Sequence, residues 1–377
     1  MKLGKIKVNH YINYVCVGLL TLILGGMSIT GARFDNSLLF LLEKVAISII
    51  LAVSLSLVVG FLGELSLGHA GFMCVGAYLG GKVAALLVPV LGNGIAAFLV
   101  SLVVGSAAAA LCGIIVGIPA LRLRGDYLAI VTLAFGEIVK SLFQNTSDAT
   151  FGGTLGLDTP RYDKKYLFII AFILVLFTLM VTQNFIRSKH GRAVTAIRDN
   201  EIAARASGIN VTKYKLVTFT LSAAFAGMAG VLYSYSNYTV QSVKFGYNYS
   251  IEILVMVVLG GMGSINGGII AATLITWLNT WLPTKLTGDL AVLQNLLYAL
   301  VLIVIVIYNN APKLKGFRDK HNFGVLMDKL RKNQDAGNIK DDKAKWDVVP
   351  TKISMDEILS VDFTPQNSST VDKGGEK

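Results

Sequence analysis

The sequence predicts an all-α polytopic membrane protein with about ten transmembrane helices (eight to ten), some of them broken or re-entrant, and with N- and C-termini cytoplasmic. Three observations carry this expectation. Of 377 residues, 54% are apolar and only 15% charged, against about 25% charged in an ordinary soluble domain. The charges are also unevenly spread: 8–32, 45–63, 65–81, 83–121, 166–186, 216–243, 253–284 and 290–312 hold no Asp, Glu, Lys or Arg. A bilayer core of about 30 Å needs roughly 20 apolar residues per helical crossing, a length most of these runs meet. Finally, the basic residues gather at the ends of the runs, where they set orientation.

Other classes are disfavoured by the same pattern. A membrane barrel alternates apolar and polar residues, and these runs are solidly apolar. The net charge of +11 sits at helix ends and not on an aromatic-interleaved patch, so no nucleic-acid partner is expected. Cys16, Cys74 and Cys112 all lie inside apolar runs, which supports neither a disulfide framework nor a zinc site. His10, His69, His190 and His321 show no ligand spacing. The lysine-flanked run 8–32 exceeds a signal-peptide core and is read as a retained first helix.

Taken in order, helices are expected near 10–30, 44–62, 69–88, 95–120, 126–144, 166–186, 215–236, 250–263, 268–284 and 290–310. The basic residues of the N-terminal arm, of 187–215 and of the start of the tail then all fall inside, as do Arg122 and Arg124. The loops 145–165 and 237–249 fall outside. The third and eighth segments are short or glycine-interrupted, and either can be re-entrant. Residues 1–312 are thus read as the transmembrane domain, with 187–215 as a cytoplasmic loop. The tail, 313–377, is mixed-charge and has too little apolar surface to offset its ordering entropy, so a disordered cytoplasmic segment is expected there.

Five features carry the chemistry of the chain. The segment Gly60–Phe72 places glycines, Ser66 and His69 between apolar runs, and with it Gly68 and Gly71 become candidates for the substrate path. Glycine-broken helices free backbone groups that must face protein or a water-filled cavity; close helix packing through small residues is the alternative. A second such segment, Leu259–Gly268, brings Gly260, Gly261, Gly263 and Ser264 as path candidates. Glu137 is a costly intramembrane carboxylate, with Lys140 at i+3 as the expected ion-pair partner. Glu43 and Lys44 are expected at a helix end, near the interface. The segment Gly191–Asn210 reads as one short amphipathic helix, with Ala193, Ile197, Ile202 and Ala206 on its apolar side and Gly208 ending it.

With these segments assembled, the chain resembles the permease subunits of branched-chain amino-acid ABC transporters. The resemblance rests on Gly63-Glu-Leu-Ser-Leu-Gly-His-Ala-Gly-Phe72, Gly125-Asp-Tyr-Leu-Ala-Ile-Val-Thr-Leu-Ala-Phe-Gly-Glu137, Gly152-Gly-Thr-Leu-Gly156, the 191–209 loop and Val255-Met-Val-Val-Leu-Gly-Gly-Met-Gly-Ser264. It covers about residues 40–310. It implies a multi-pass protein of a bacterial-type cell membrane, a second permease subunit, two cytoplasmic ATP-binding subunits and an extracytoplasmic substrate-binding protein. The 191–209 loop would then be the ATPase-coupling element, with Glu201, Ala203, Ala204 and Gly208 as a loose version of the coupling signature and Ile202 as a departure from it. No enzyme activity and no cofactor are expected of the chain itself: it lacks a phosphate-binding G-x-x-x-x-G-K-[ST] loop, so ATP is handled by partner chains. An amino-acid substrate is implied. Urea, short amides or nucleosides are the alternatives within the same superfamily, and an ion-coupled secondary carrier is a more distant one.

Overall fold

The computed structural model describes residues 35–285, apart from 93, 124, 161 and 163, together with positions 17, 18, 21, 300 and 303. The expected first and tenth helices and the tail lie outside the described residues. Ten helices are labelled here: α1 (Asn36–Ser56, continued by a wider turn over Leu57–Leu62), α2 (His69–Leu91), α3 (Ile95–Ala120), α4 (Asp126–Gln144), α5 (Lys164–Arg187), α6 (Lys189–Asp199), α7 (Glu201–Ala206), α8 (Val211–Ser236), α9 (Tyr247–Gly260) and α10 (Ile265–Lys285).

Five of the described helices are long and apolar enough to cross a membrane: Asn36–Leu62, His69–Val90, Ile95–Ala120, Tyr166–Arg187 and Val211–Ser236. Their environments differ. In α1, 94% of the apolar span is buried inside the protein, against 28% in α3. Helix α1 packs against α5, α8, α9 and α10. Helix α3 instead turns Val103, Leu111 and Ile115 outward, each 58–65% exposed. An apolar face of that kind suits acyl chains, since lipid offers it no worse a solvent than the core does.

Beyond Phe98 and Leu102, the inward side of α3 packs through small residues. Ser101, Gly105, Ala109, Gly113 and Gly117 recur every four residues, forming a stripe along one face. It lies on α8, so closely that a Cβ on Gly113 would meet Ala223 Cβ at 2.7 Å and one on Gly227 would meet Ala109 Cβ at 2.4 Å. Helix α2 joins them in the same manner: a Cβ on Gly76 would sit 2.2 Å from the Gly227 carbonyl oxygen.

Two expectations about helix bounds change. The second helix starts at Asn36, eight residues before the expected 44, with Asp35 accepting from the Ser37 amide as its cap. Glu43 and Lys44 are therefore inside a helix and not at its end. The Glu43 carboxylate is buried and hydrogen-bonded by Ser236 on α8, while the Lys44 ammonium lies 4.5 Å over the Phe40 ring. With such partners the charges do not stop the helix. The third segment is unbroken from His69 to Leu91. The eighth, α9, has only 14 residues, about 21 Å of helix, which falls short of a full bilayer core.

At the end of the bundle away from α6 and α7, a two-stranded antiparallel ladder pairs Leu157 with Val240 and Asp158 with Thr239. It ties together the loops 145–165 and 237–249, the two that the charge pattern assigned to one side. Tyr78 caps it by donating to the Val240 carbonyl at 3.0 Å.

Candidate functional site

The basic loop between α5 and α8 folds onto the broken end of α1. Its first helix, α6, is started by Ser188, whose hydroxyl accepts from the His190 and Gly191 amides at 3.1 and 3.3 Å. Ala193, Val194 and Ile197 are buried on α6, and Val194 and Ile197 meet Leu62, Ala204 and Val211 in a small apolar cluster.

The expected single amphipathic helix is interrupted. At Asn200 the backbone becomes extended, and the Asn200 side chain accepts from the Ala203 amide at 3.0 Å, starting α7 anew. Asparagine competes for backbone partners and favours caps over helix interiors. The break rotates the second half, so Ile202 and Ala206 do not share the apolar side with Ala193 and Ile197. Ala204 is buried instead, while Ile202 is 76% exposed. Gly208 ends α7 with φ +81 and open space where a side chain would be.

Two polar connections lock this loop to the bundle. First, Arg198 of α6 donates from Nη1 to the Gly60 carbonyl at 3.2 Å. The wide last turn of α1 leaves carbonyls without ordinary helical partners, and a cation at a helix C-terminus also complements its dipole. The arginine stem crosses Gly63, where a Cβ would meet Arg198 Cγ at 2.7 Å and where φ is +79. Only glycine satisfies both conditions. Asp199 holds the other side of the guanidinium at 3.0–3.1 Å.

Second, Lys215 at the start of α8 is buried and donates to Glu64 at 2.5 Å and to Glu201 at 3.1 Å; Glu201 in turn accepts from Arg205 at 2.7 Å. Glu201 is thus engaged inside the chain. Together Glu64, Lys215, Glu201 and Arg205 join the connection after α1, α7 and α8.

The two glycine-interrupted segments, 200 residues apart, meet at this end. A Cβ on Gly60 would lie 2.5 Å from the Gly263 nitrogen. The turn holding Gly263 is itself tight: a Cβ on Gly260 would sit 2.4 Å from the Gly267 carbonyl carbon, and Gly261 and Gly263 have φ +89 and +83. Ser264 caps α10, accepting from the Gly267 amide at 3.2 Å.

Residues 63–68 form an irregular connection between α1 and α2. Gly68 lies against α4, where a Cβ would meet the Thr132 carbonyl oxygen at 2.4 Å, and the Leu67 amide donates to Thr132 Oγ1 at 3.0 Å. Gly71 faces Gly136 of the same helix. The Ala70 amide donates to Ser250 of α9 at 3.2 Å. Ser66 is buried, and its hydroxyl has no hydrogen-bond partner among the described residues. His69 is buried with Nε2 2.7 Å from Ser54 Oγ of α1, so its ring nitrogen is already engaged.

Glu137 and Lys140 lie 2.8 Å apart, and the second Glu137 oxygen accepts from the Tyr247 amide at 2.8 Å. The carboxylate therefore also meets the positive end of α9. Among the described residues, no three His, Cys, Asp or Glu side chains gather as metal ligands.

Sequence reasoning did not anticipate Arg198–Gly60 or Lys215–Glu64. The second had one signal: Lys215 is the last charge before the charge-free run of α8, so it had to be either at the interface or paired.

Comparison with known proteins agrees with this architecture. The family described as branched-chain amino acid transport system / permease component matches residues 37–306. The high-affinity branched-chain amino acid transport system permease proteins LivM of Salmonella typhimurium and of Escherichia coli K12 are each 39% identical over 260 residues, 61% of this chain and 60% of theirs. The ribose import permease protein RbsC of Escherichia coli K12 is 30% identical over 165 residues, 42% of this chain and 47% of its own. The chain thus spans about 60% of the length of the LivM proteins it matches. No solved structure matches. With the match extending across α1 to α10, the chain belongs to the family of branched-chain amino acid transport system permease components.

Proposed function

We propose that this chain is a transmembrane subunit of an ATP-driven importer and forms part of the passage for branched-chain amino acids. An extracytoplasmic binding protein delivers the substrate, a second permease subunit completes the passage, and two cytoplasmic ATPases drive it. The observation that carries this reading is the Gly60–Gly263 contact, pinned by Arg198 from the basic loop. One element thereby touches both the broken helices and the cytoplasmic face assigned by the charge pattern.

The mechanism follows from that connection. Ile202, exposed at the tip of α7, offers an apolar knob for a cleft on the ATPase; Ala203 and Gly208 beside it are small enough for close approach. Movement of α6 and α7 with the ATPases pulls on Gly60 through Arg198 and on Glu64 through Lys215. The small-residue contact at Gly60 and Gly263 then separates, because no side chains interlock there. Ser66, close behind on the irregular connection, supplies a hydroxyl to whatever passes. Glu201 and Ala204 maintain the loop's own fold, and Glu137 and Lys140 hold α9 in place.

A tagged chain, expressed with its partner permease and ATPases, tests the assembly. Both ATPases should co-purify with the parent chain and be lost with Ile202→Asp, which leaves the buried face of the loop untouched. Failure to recover any ATPase with the parent chain would overturn the importer reading.

A further inference from the structure

At the end of the bundle away from the basic loop, α1, α8, α9 and α10 part around a cavity of about 420 Å³. That falls within the roughly 300–1,000 Å³ usual for small-molecule sites. Its wall carries both signs of charge: Lys44 from α1, Lys244 from the turn before α9, and Glu252 from α9. Glu252 is held from the α10 side by the Asn279 amide. Among the described residues, neither lysine forms an ion pair with a carboxylate. Thr276, also on the wall, is buried with its hydroxyl unpartnered among the described residues. Ile47 and Phe245 add apolar surface.

Charges at or within membrane helices are costly and are functional candidates by default; Lys44 has only the Phe40 ring and Glu252 only the neutral Asn279 amide as direct partners among the described residues. Two cations and one carboxylate around a single cavity match a small zwitterion with an apolar side chain. With two lysines to one carboxylate the wall is net positive, which favours a ligand that brings its own carboxylate. Lys44 lies 16 residues before Gly60 on α1, about 24 Å along the helix, so this cavity and the glycine contact occupy opposite ends of one seam between α1, α9 and α10.

We propose that this cavity is an α-amino-acid site at the mouth of the passage. Lys44 and Lys244 receive the α-carboxylate, Glu252 receives the α-ammonium, and Ile47 and Phe245 take the side chain. The proposal rests on the importer reading and names where that substrate is first held.

Thiol protection tests it. Thr280→Cys, on the cavity wall, is placed in the assembled transporter in right-side-out vesicles and labelled with a membrane-impermeant maleimide. The unsubstituted chain gives the background from its native cysteines. L-leucine at ten times its dissociation constant should slow labelling about tenfold, since about one site in ten stays free. Isocaproate, which lacks the amino group, and isoamylamine, which lacks the carboxylate, should protect less. Adding Glu252→Gln should abolish the advantage of leucine over isocaproate. Adding Lys44→Met and Lys244→Met together should abolish its advantage over isoamylamine. A purely structural role for these charges would weaken all three ligands alike and would overturn the assignment.

ATP-dependent leucine uptake by the unsubstituted transporter is measured in parallel. Uptake without protection, or no labelling from outside, overturns the cavity and leaves the importer reading intact. Protection without uptake supports the cavity and counts against the importer. Absence of both overturns both.

Discussion

Replacing Lys215 by methionine tests whether the basic loop is locked to the bundle by a buried charge. The substitution keeps the length and apolar stem of the side chain but leaves Glu64 and Glu201 facing each other. Removing one partner of a buried ion pair costs about 3–5 kcal/mol. Here the Lys215 side chain is 4% exposed, whereas Glu64 and Glu201 are 14% and 23% exposed. Water still reaches both carboxylates, and Glu201 keeps Arg205, so the cost should be near the lower end, about 3 kcal/mol. For a folded unit of this size that lowers the melting midpoint by about 6–10 °C. Thermal melting of the purified protein in detergent reads this directly. Lys213→Met, an exposed lysine two residues away, removes the same charge and is the control. Combining Glu64→Gln with Lys215→Met should cost less than the sum of the two, because they share one interaction. A Lys215→Met midpoint indistinguishable from that of Lys213→Met would refute the reasoning.

Three further outcomes are expected. Gly60→Leu forces a side chain into the Gly263 backbone, an overpacking of about 1–3 kcal/mol against the closed contact; uptake should fall and ATPase activity should become independent of the binding protein, both measured in reconstituted vesicles. Gly208→Trp meets open space but a left-handed backbone, costing about 1 kcal/mol, so the chain should insert and melt nearly normally while ATPase co-purification is lost. Cysteines at Leu155 and Ile202, both strongly exposed, should label from opposite sides: the first from outside in intact cells, the second only after permeabilisation.

The sequence carried the helical bundle legibly because exclusion of charge from lipid acts on every residue of a span. The charge-free runs mark α3 and α5 well, whereas α2 runs on past Lys82 to Leu91; the loops joined by the Leu157–Val240 ladder were already assigned to one side. It erred where a charge was satisfied in space: α1 extends through Glu43 and Lys44 because Ser236 and Phe40 receive them. At the site, the two glycine-broken segments were visible, but their meeting at Gly60 and Gly263 was not. Arg198 reaches Gly60 across 138 positions and Lys215 reaches Glu64 across 151, separations at which periodicity and spacing carry no information. The break at Asn200 had a local signal, an asparagine three residues before the amide it caps, yet the alanine-rich stretch around it reads as continuous helix. The small-residue stripe from Ser101 to Gly117 was equally readable, and its meaning lay in Ala223 and Gly227 on the facing side of α8.

ATP-dependent uptake of labelled leucine tests the central claim most directly. Vesicles hold the cognate ATPases, binding protein and partner permease, with or without this chain, and unlabelled valine, isoleucine and urea serve as competitors. The account predicts uptake only when the chain is present, with competition by valine and isoleucine and none by urea. An assembled complex that transports no leucine, or whose uptake is unchanged when the chain is omitted, would contradict it.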